Sequence, residues 1–271
     1  AIIKSTADLF SSWGVETVLA THDLPYDQRL GISEFSKIVE YAEFRNHLVR
    51  RVTSLFLDKI LNVQYMANYL RQMDVWKVAH GNIVLNVGGD TYCYDVMPKI
   101  SINLNKYCTK HNIPCVFWGC SIEKEKIDNP EIFADLQRYT LIAPRESLTY
   151  QYLVKAGISE DKLLLMADPA FTLASASCKL PENFVPKNTV GINLSPLVMG
   201  WSNNGELVWN NYCDTIDHII NETDMNICLI PHVFRTESDY DMMPHLKLYE
   251  KYKNTEFKVK DIVAIVDLMN R

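Results

Sequence analysis

Between Leu141 and Leu173 the chain sets two short apolar runs on either side of a segment with helical spacing. The first run, Leu141 to Ala143, ends at Pro144. Arg145, Glu146 and Ser147 then open a segment whose apolar residues Leu148, Tyr152, Leu153 and Ala156 recur at helical intervals, and Gly157 stands where a left-handed helix end is favoured. The second run, Leu163 to Met166, stops at Asp168-Pro169-Ala170-Phe171. The pattern predicts strand, helix, strand, with polar groups at the two strand exits. Ligands of open parallel sheets sit at the carboxyl ends of strands. Arg145, Ser147 and Asp168 are therefore expected to face one edge.

The same alternation runs through the rest of the chain. Residues 1–13 predict a helix that feeds a strand over Val15 to Ala20, and the polar, turn-rich stretch Thr21 to Ser33 reads as a loop. Glu34 to Met73 lacks Gly and Pro and predicts two or three helices; its Arg45, Arg50, Arg51 and Arg71 form either a solvated face or a basic face for an anionic sugar. The apolar run Ile83 to Val87 predicts a buried parallel strand ending in Gly88-Gly89-Asp90, where two glycines let the backbone approach a ligand and Asp90 projects. Tyr92, Tyr94 and Asp95 follow, aromatics beside a carboxylate, a set that suits the faces and hydroxyls of a sugar and equally suits core and cap. A helix near 97–111 leads to a strand ending at Gly119-Cys120-Ser121, and Asn129-Pro130-Glu131 is a helix start. No period holds over 174–188, which reads as a linker between an N-terminal α/β domain (1–180) and a C-terminal one (189–271). In the second domain, strands exit at Ser195-Pro196 and Pro231-His232, and helices are expected over 206–222, 239–252 and 260–270. The fold class is α/β, with two Rossmann-like parallel-sheet domains.

Composition narrows the partners. In 271 residues, 48% hydrophobic and 22% charged, a disordered chain is excluded, and a net charge of −6 gives no field to attract nucleic acid. An anionic ligand must then be held by a few local cations. Seven scattered cysteines without zinc spacing read as reduced thiols; Cys120 has no adjacent base to activate it and is expected to be structural. No apolar run reaches the roughly 18 residues of a membrane span.

Six motifs in this order, Gly-Gly-Asp (88–90), Trp-Gly-Cys-Ser (118–121), Pro-Arg-Glu-Ser (144–147), Ala-Asp-Pro-Ala-Phe (167–171), Val-Gly-Ile-Asn-Leu-Ser-Pro (190–196) and Leu-Ile-Pro-His (229–232), resemble the polysaccharide pyruvyl transferase family. The resemblance implies two domains with strand ends facing a cleft, as in GT-B-type glycosyltransferases. It also implies a strand and Gly-rich loop before Ala1 and a strand with an Arg-x-His motif after Arg271, so that the chain reads as truncated at both ends. The implied reaction moves pyruvyl from phosphoenolpyruvate to two hydroxyls of one sugar, with no metal and no cofactor beyond this co-substrate. Asp168 and Asp90 are then base candidates and His232 an acid candidate. Arg145, oriented by Glu146, would bind the donor with Ser147, Gly88, Gly89 and Ser121; Tyr92, Tyr94 and Asp95 would bind the acceptor. The implied partner is a sugar or oligosaccharide, lipid-linked acceptors included, in the cytoplasm at the inner membrane face. A nucleotide-sugar glycosyltransferase and a non-catalytic carbohydrate-binding protein remain open as other readings.

Overall fold

The computed structural model describes residues 1–41, 47–87, 89–93, 98–174, 180, 184–201, 204–233, 241–253 and 263–264. It divides into two compact units, Ala1–Ala174 and Ser175–Arg271.

The first unit opens with α1 (Ile2–Ser12), β1 (Val18–Thr21), α2 (Leu24–Arg29) and β2 (Lys37–Glu40), then the helical hairpin α3 (Leu48–Lys59) and α4 (Gln64–Ala79). Next come β3 (Val84–Asn86), α5 (Lys99–Lys110), β4 (Cys115–Cys120), α6 (Lys124–Ile127), α7 (Pro130–Leu136), β5 (Leu141–Pro144) and α8 (Ser147–Ala156). β1 and β2 pair in parallel, and β3, β4 and β5 form a second parallel sheet in that order. Strands that pair in parallel need crossover connections, and here helices supply them. β4 and β5 are apolar runs because both their faces are largely covered. Phe117 and Ile142 are fully buried in the strands, and Trp76, Ile102, Leu136 and Leu153 pack on them from the helices. Each such side chain contributes about 1.5–3 kcal/mol by leaving water.

The second unit contains β6 (Thr189–Ile192), α9 (Pro196–Trp201), α10 (Gly205–Glu222), β7 (Asn226–Leu229), α11 (Met242–Tyr252) and β8 (Val263–Ala264). Its strands also form a parallel sheet, β6-β7-β8. Leu194, Ile216, Ile227, Leu229 and Leu248 form its core.

Four expectations need correction. Part of the helical stretch expected from Glu34 is strand β2, which the β-branched Ile38 and Val39 favour and β1 pairs. The loop expected over 21–33 contains α2, capped by the Asp23 carboxylate on the Tyr26 N–H (3.2 Å). The strand expected over 163–166 is reduced to a bridge from Leu163 to Ile142, although the Leu164 and Met166 N–H groups still donate to Ile142 and Pro144 along the edge of β5 (both 3.0 Å). Within the helix expected over 260–270, the two described residues are strand β8, paired in parallel with β7. Arg50 and Arg71 are structural, bridging α3 and α4 through Asp74 and Asp58 at 2.8 Å each.

Candidate functional site

Three consecutive strand exits meet at one side chain. Arg145 leaves the end of β5, and its guanidinium reaches both neighbouring segments. Nε donates to Ser121 Oγ beyond β4 (2.8 Å), Nη2 to Asp90 Oδ1 beyond β3 (2.8 Å) and Nη1 to Asp168 Oδ2 (2.8 Å). Arginine presents five N–H donors in a rigid fork. Three are used in these contacts, and one on each terminal nitrogen has no partner among the described residues.

The backbone around this cluster is pinned at each contributor. The Ser121 N–H donates to the Gly89 carbonyl (2.8 Å) and the Arg145 N–H to the Cys120 carbonyl (3.0 Å). The Cys93 thiol donates to the Ser121 carbonyl (3.2 Å), and Thr149 of α8 exchanges hydrogen bonds with both backbone groups of Ile122. Glycine is required twice for space. A Cβ on Gly89 would lie 2.5 Å from Arg145 Nη1, so the guanidinium rests on that glycine. Gly119 has φ +66° where the β4–β5 register shifts, and a Cβ there would meet Pro169 Cδ at 2.9 Å. The bulge thus admits the Asp168-Pro169 turn against β4.

The two carboxylates differ in what they can still do. Asp168 uses Oδ2 on Arg145 and Oδ1 on the Ala170 N–H (2.9 Å), and its side chain is 21% exposed. Asp90 uses only Oδ1 among the described residues and is 53% exposed. A general base needs a free lone pair within reach of a substrate proton. Asp90 keeps an oxygen with no partner among the described residues, whereas each oxygen of Asp168 already carries one hydrogen bond. One guanidinium and two carboxylates sum to a formal charge of −1, so an anionic ligand at the two remaining N–H groups requires further cations from outside the cluster.

Several expected residues fall elsewhere. Tyr92, expected to face an acceptor, is fully buried: its hydroxyl donates to Asp135, meets the Tyr139 hydroxyl at 3.0 Å, and its ring packs on Phe117. Its role is core. Glu146, expected to orient Arg145, instead accepts from the Leu148 and Thr149 N–H groups and caps α8. Ser147, the exposed first residue of α8, has no side-chain hydrogen bond among the described residues. Cys120 is buried, and burial pushes its thiol up to about 12, as suits a structural cysteine. Gly88, Tyr94 and Asp95 lie outside the described residues. His232 stands in the second unit after β7 with its side chain exposed, its backbone N–H donated to Asp241 (2.9 Å).

Sequence reasoning missed the groups that hold these loops. Asp135 is fully buried between Tyr92, Asn105 and Arg138, and burial, partly offset by those partners, raises its pKa. The helical spacing of Ile132, Asp135 and Leu136 was the signal that this acid faces inward. Among the described residues no group of three His, Cys, Asp or Glu is placed to hold a metal ion, and no helix is long and apolar enough to cross a membrane.

A family model described as polysaccharide pyruvyl transferase matches residues 29–270, which is nearly the whole chain. No curated protein and no solved structure gave a match.

Proposed function

We propose the following reaction from the premise which that match establishes: the chain belongs to the polysaccharide pyruvyl transferase family, whose members are transferases acting on polysaccharides. The donor is phosphoenolpyruvate and the product a cyclic ketal on one sugar. One sugar hydroxyl adds to the central carbon of the enol while a proton is delivered to its methylene carbon, which becomes a methyl group. The second hydroxyl then displaces phosphate at the same carbon, and its proton leaves with the phosphate or a base. Two C–O bonds form, the C–O bond to phosphate breaks, and nothing is oxidised or reduced, so the donor supplies all that the step needs.

The observation that carries this reading is the Arg145 cluster: one arginine with two unused N–H groups beside one carboxylate with an unused oxygen. Arg145 takes an anionic group of the donor in charge-assisted hydrogen bonds. Asp90 removes the proton of the attacking hydroxyl, Asp168 and Ser121 fix the guanidinium, and Ser147 lines the donor side. His232, exposed after β7, is the proposed proton source for the methylene carbon. The setting is cytoplasmic, on a lipid-linked saccharide.

The test is phosphate release from phosphoenolpyruvate by the full chain with and without cell-surface oligosaccharides. The expected result is acceptor-dependent release, reduced by about 10²–10³-fold in Arg145→Ala, the loss typical of removing one preorganised charge-stabilising donor. No release with any acceptor, together with saturable binding of a nucleotide sugar, overturns the reading in favour of glycosyl transfer.

A further inference from the structure

The helical layer of the first unit holds a cavity of about 390 Å³, within the range of small-molecule sites. None of its lining residues belongs to the Arg145 cluster. Its polar lining comes from Gln64 and Tyr65 of α4, Lys99, Asn103 and Lys106 of α5, and Glu131 of α7. Lys99, Ile102, Asn103 and Lys106 stand at i, i+3, i+4 and i+7, which is one face of one helix. Gln64, Tyr65, Lys99 and Glu131 all lie in the first turns of their helices. In chain order α5 follows β3, and α7 follows β4 with α6 between them.

Its polar side chains lack hydrogen-bond partners among the described residues. Asn103 is only 9% exposed, yet its amide makes no hydrogen bond among the described residues. The little surface it keeps lines the cavity, so its amide is open to water or to a ligand that displaces that water. The Tyr65 ring packs on Trp76 with centroids 5.9 Å apart, while its hydroxyl is likewise unpartnered among the described residues. Among the described residues neither lysine forms an ion pair, and Glu131 forms none. Two ammonium groups and one carboxylate give a formal charge of +1, in a chain whose net charge is −6.

We propose that this cavity binds an acidic saccharide unit. Lys99 and Lys106 take its carboxylate, Asn103, Gln64 and Glu131 take ring hydroxyls, and Tyr65 with Ile102 meets the apolar face of the sugar. Glu131 disfavours a phosphate dianion, and amide, phenol and carboxylate groups together match hydroxyls that both donate and accept. The proposal that this sugar belongs to the acceptor, a few units from the one modified at Asp90, rests on the pyruvyl transfer reading; the binding itself requires no donor.

Calorimetric titration of the full chain with tetragalacturonate and with neutral maltotetraose, without phosphoenolpyruvate, tests it. The acidic tetramer should bind, Lys106→Glu and Lys99→Glu should each weaken it by about tenfold or more, as loss of a charge-assisted contact does, and Lys110→Glu, an exposed charge reversal at the far end of α5 and outside the cavity, should leave it unchanged. Asn103→Ala should weaken it too; the exposed Lys99 position keeps the test valid if Asn103→Ala unfolds. No binding of the acidic tetramer, equal binding of both tetramers, or binding insensitive to both lysine reversals overturns the proposal. Lysine-dependent binding without any phosphate release would uphold the subsite and place the failure in the transfer reaction.

Discussion

Each unit places a carboxylate beside the carboxyl end of a parallel sheet, and the two are used in opposite ways. In the first unit Asp90 is half-exposed, opposite a guanidinium, with one oxygen free among the described residues. In the second, Asp241 is 1% exposed and gathers the N–H groups of His232 (2.9 Å) and Val233 (3.0 Å) and the Asn193 amide (3.3 Å) on one oxygen. His245 completes that arrangement: Nδ1–H donates to the Asp241 carbonyl, so Nε2 is unprotonated and accepts from the Leu194 N–H (3.3 Å). Residue type and topological place do not separate a reactive acid from a structural one. Partners and exposure do: a cation and a free oxygen open to solvent leave a carboxylate able to meet a ligand, whereas backbone N–H groups and burial, which shuts even the unpartnered Oδ1 of Asp241 away from water, turn it into a fastening.

The sharpest way to break this comparison is to remove Asp241. Asp241→Ala leaves the His232 and Val233 N–H groups unpaired and should destabilise the second unit by about 3 kcal/mol. Hydrogen exchange of β7 and α11 reads this locally, without assuming that both units unfold together. The pH response has a definite sign. Burial alone would raise the pKa of Asp241, but the His232 and Val233 N–H groups and the Asn193 and Ser195 side chains outweigh it and leave the value lowered. Its contribution is therefore present above the unfolded value near 3.9 and lost as pH falls through the lower folded value. Asp135 in the first unit runs the other way, since burial raises its pKa: its contribution is present below the unfolded value and lost as pH rises through the folded one. An acid-side loss of protection in β7 that persists unchanged in Asp241→Ala would refute the assignment.

Gly89→Ala probes the reactive side with a smaller effect. The added methyl has no room beside Arg145 Nη1, and the side chain that must move is held by three hydrogen bonds. Displacing the guanidinium should lower transfer by about tenfold while stability changes by less than ~1 kcal/mol, because the strain falls on a partly exposed side-chain end rather than on the core. Full activity in Gly89→Ala would mean that the Arg145 geometry is not used.

What was legible in the sequence follows the same division. Strand exits were readable because apolar runs stop abruptly at Gly89-Asp90, Gly119-Cys120-Ser121 and Pro144-Arg145, and three of these exits do converge. The partition of Arg145 among Asp90, Asp168 and Ser121 was not, since it depends on contacts spanning 55, 23 and 24 residues of sequence. Tyr92 was misread for a physical reason: an aromatic two residues after Asp90 looks the same in sequence whether its ring points out to a ligand or in to Asp135. Local signals fared better, as with Asn129, whose side chain accepts from the Glu131 and Ile132 N–H groups.

Glu146 sharpens the comparison most finely, because it adjoins Arg145 in the chain yet belongs to the structural class. Its backbone is extended, with φ −153° and ψ 158°, and both carboxylate oxygens turn onto the first N–H groups of α8. There the acid satisfies donors that have no partner within the helix and lies at the positive end of the helix dipole. Glu146→Ala should therefore cost about 1 kcal/mol of stability, and Glu146→Asp or Glu146→Asn, which keep a capping oxygen, should recover most of it. Transfer activity of the folded Glu146→Ala protein should stay within about threefold of the parent, since a helix cap contributes no more than roughly a kcal/mol and touches neither Nη of Arg145. A loss on the scale of Arg145→Ala, with stability intact, would move Glu146 to the reactive class and show that partners in the resting protein do not decide which carboxylates act.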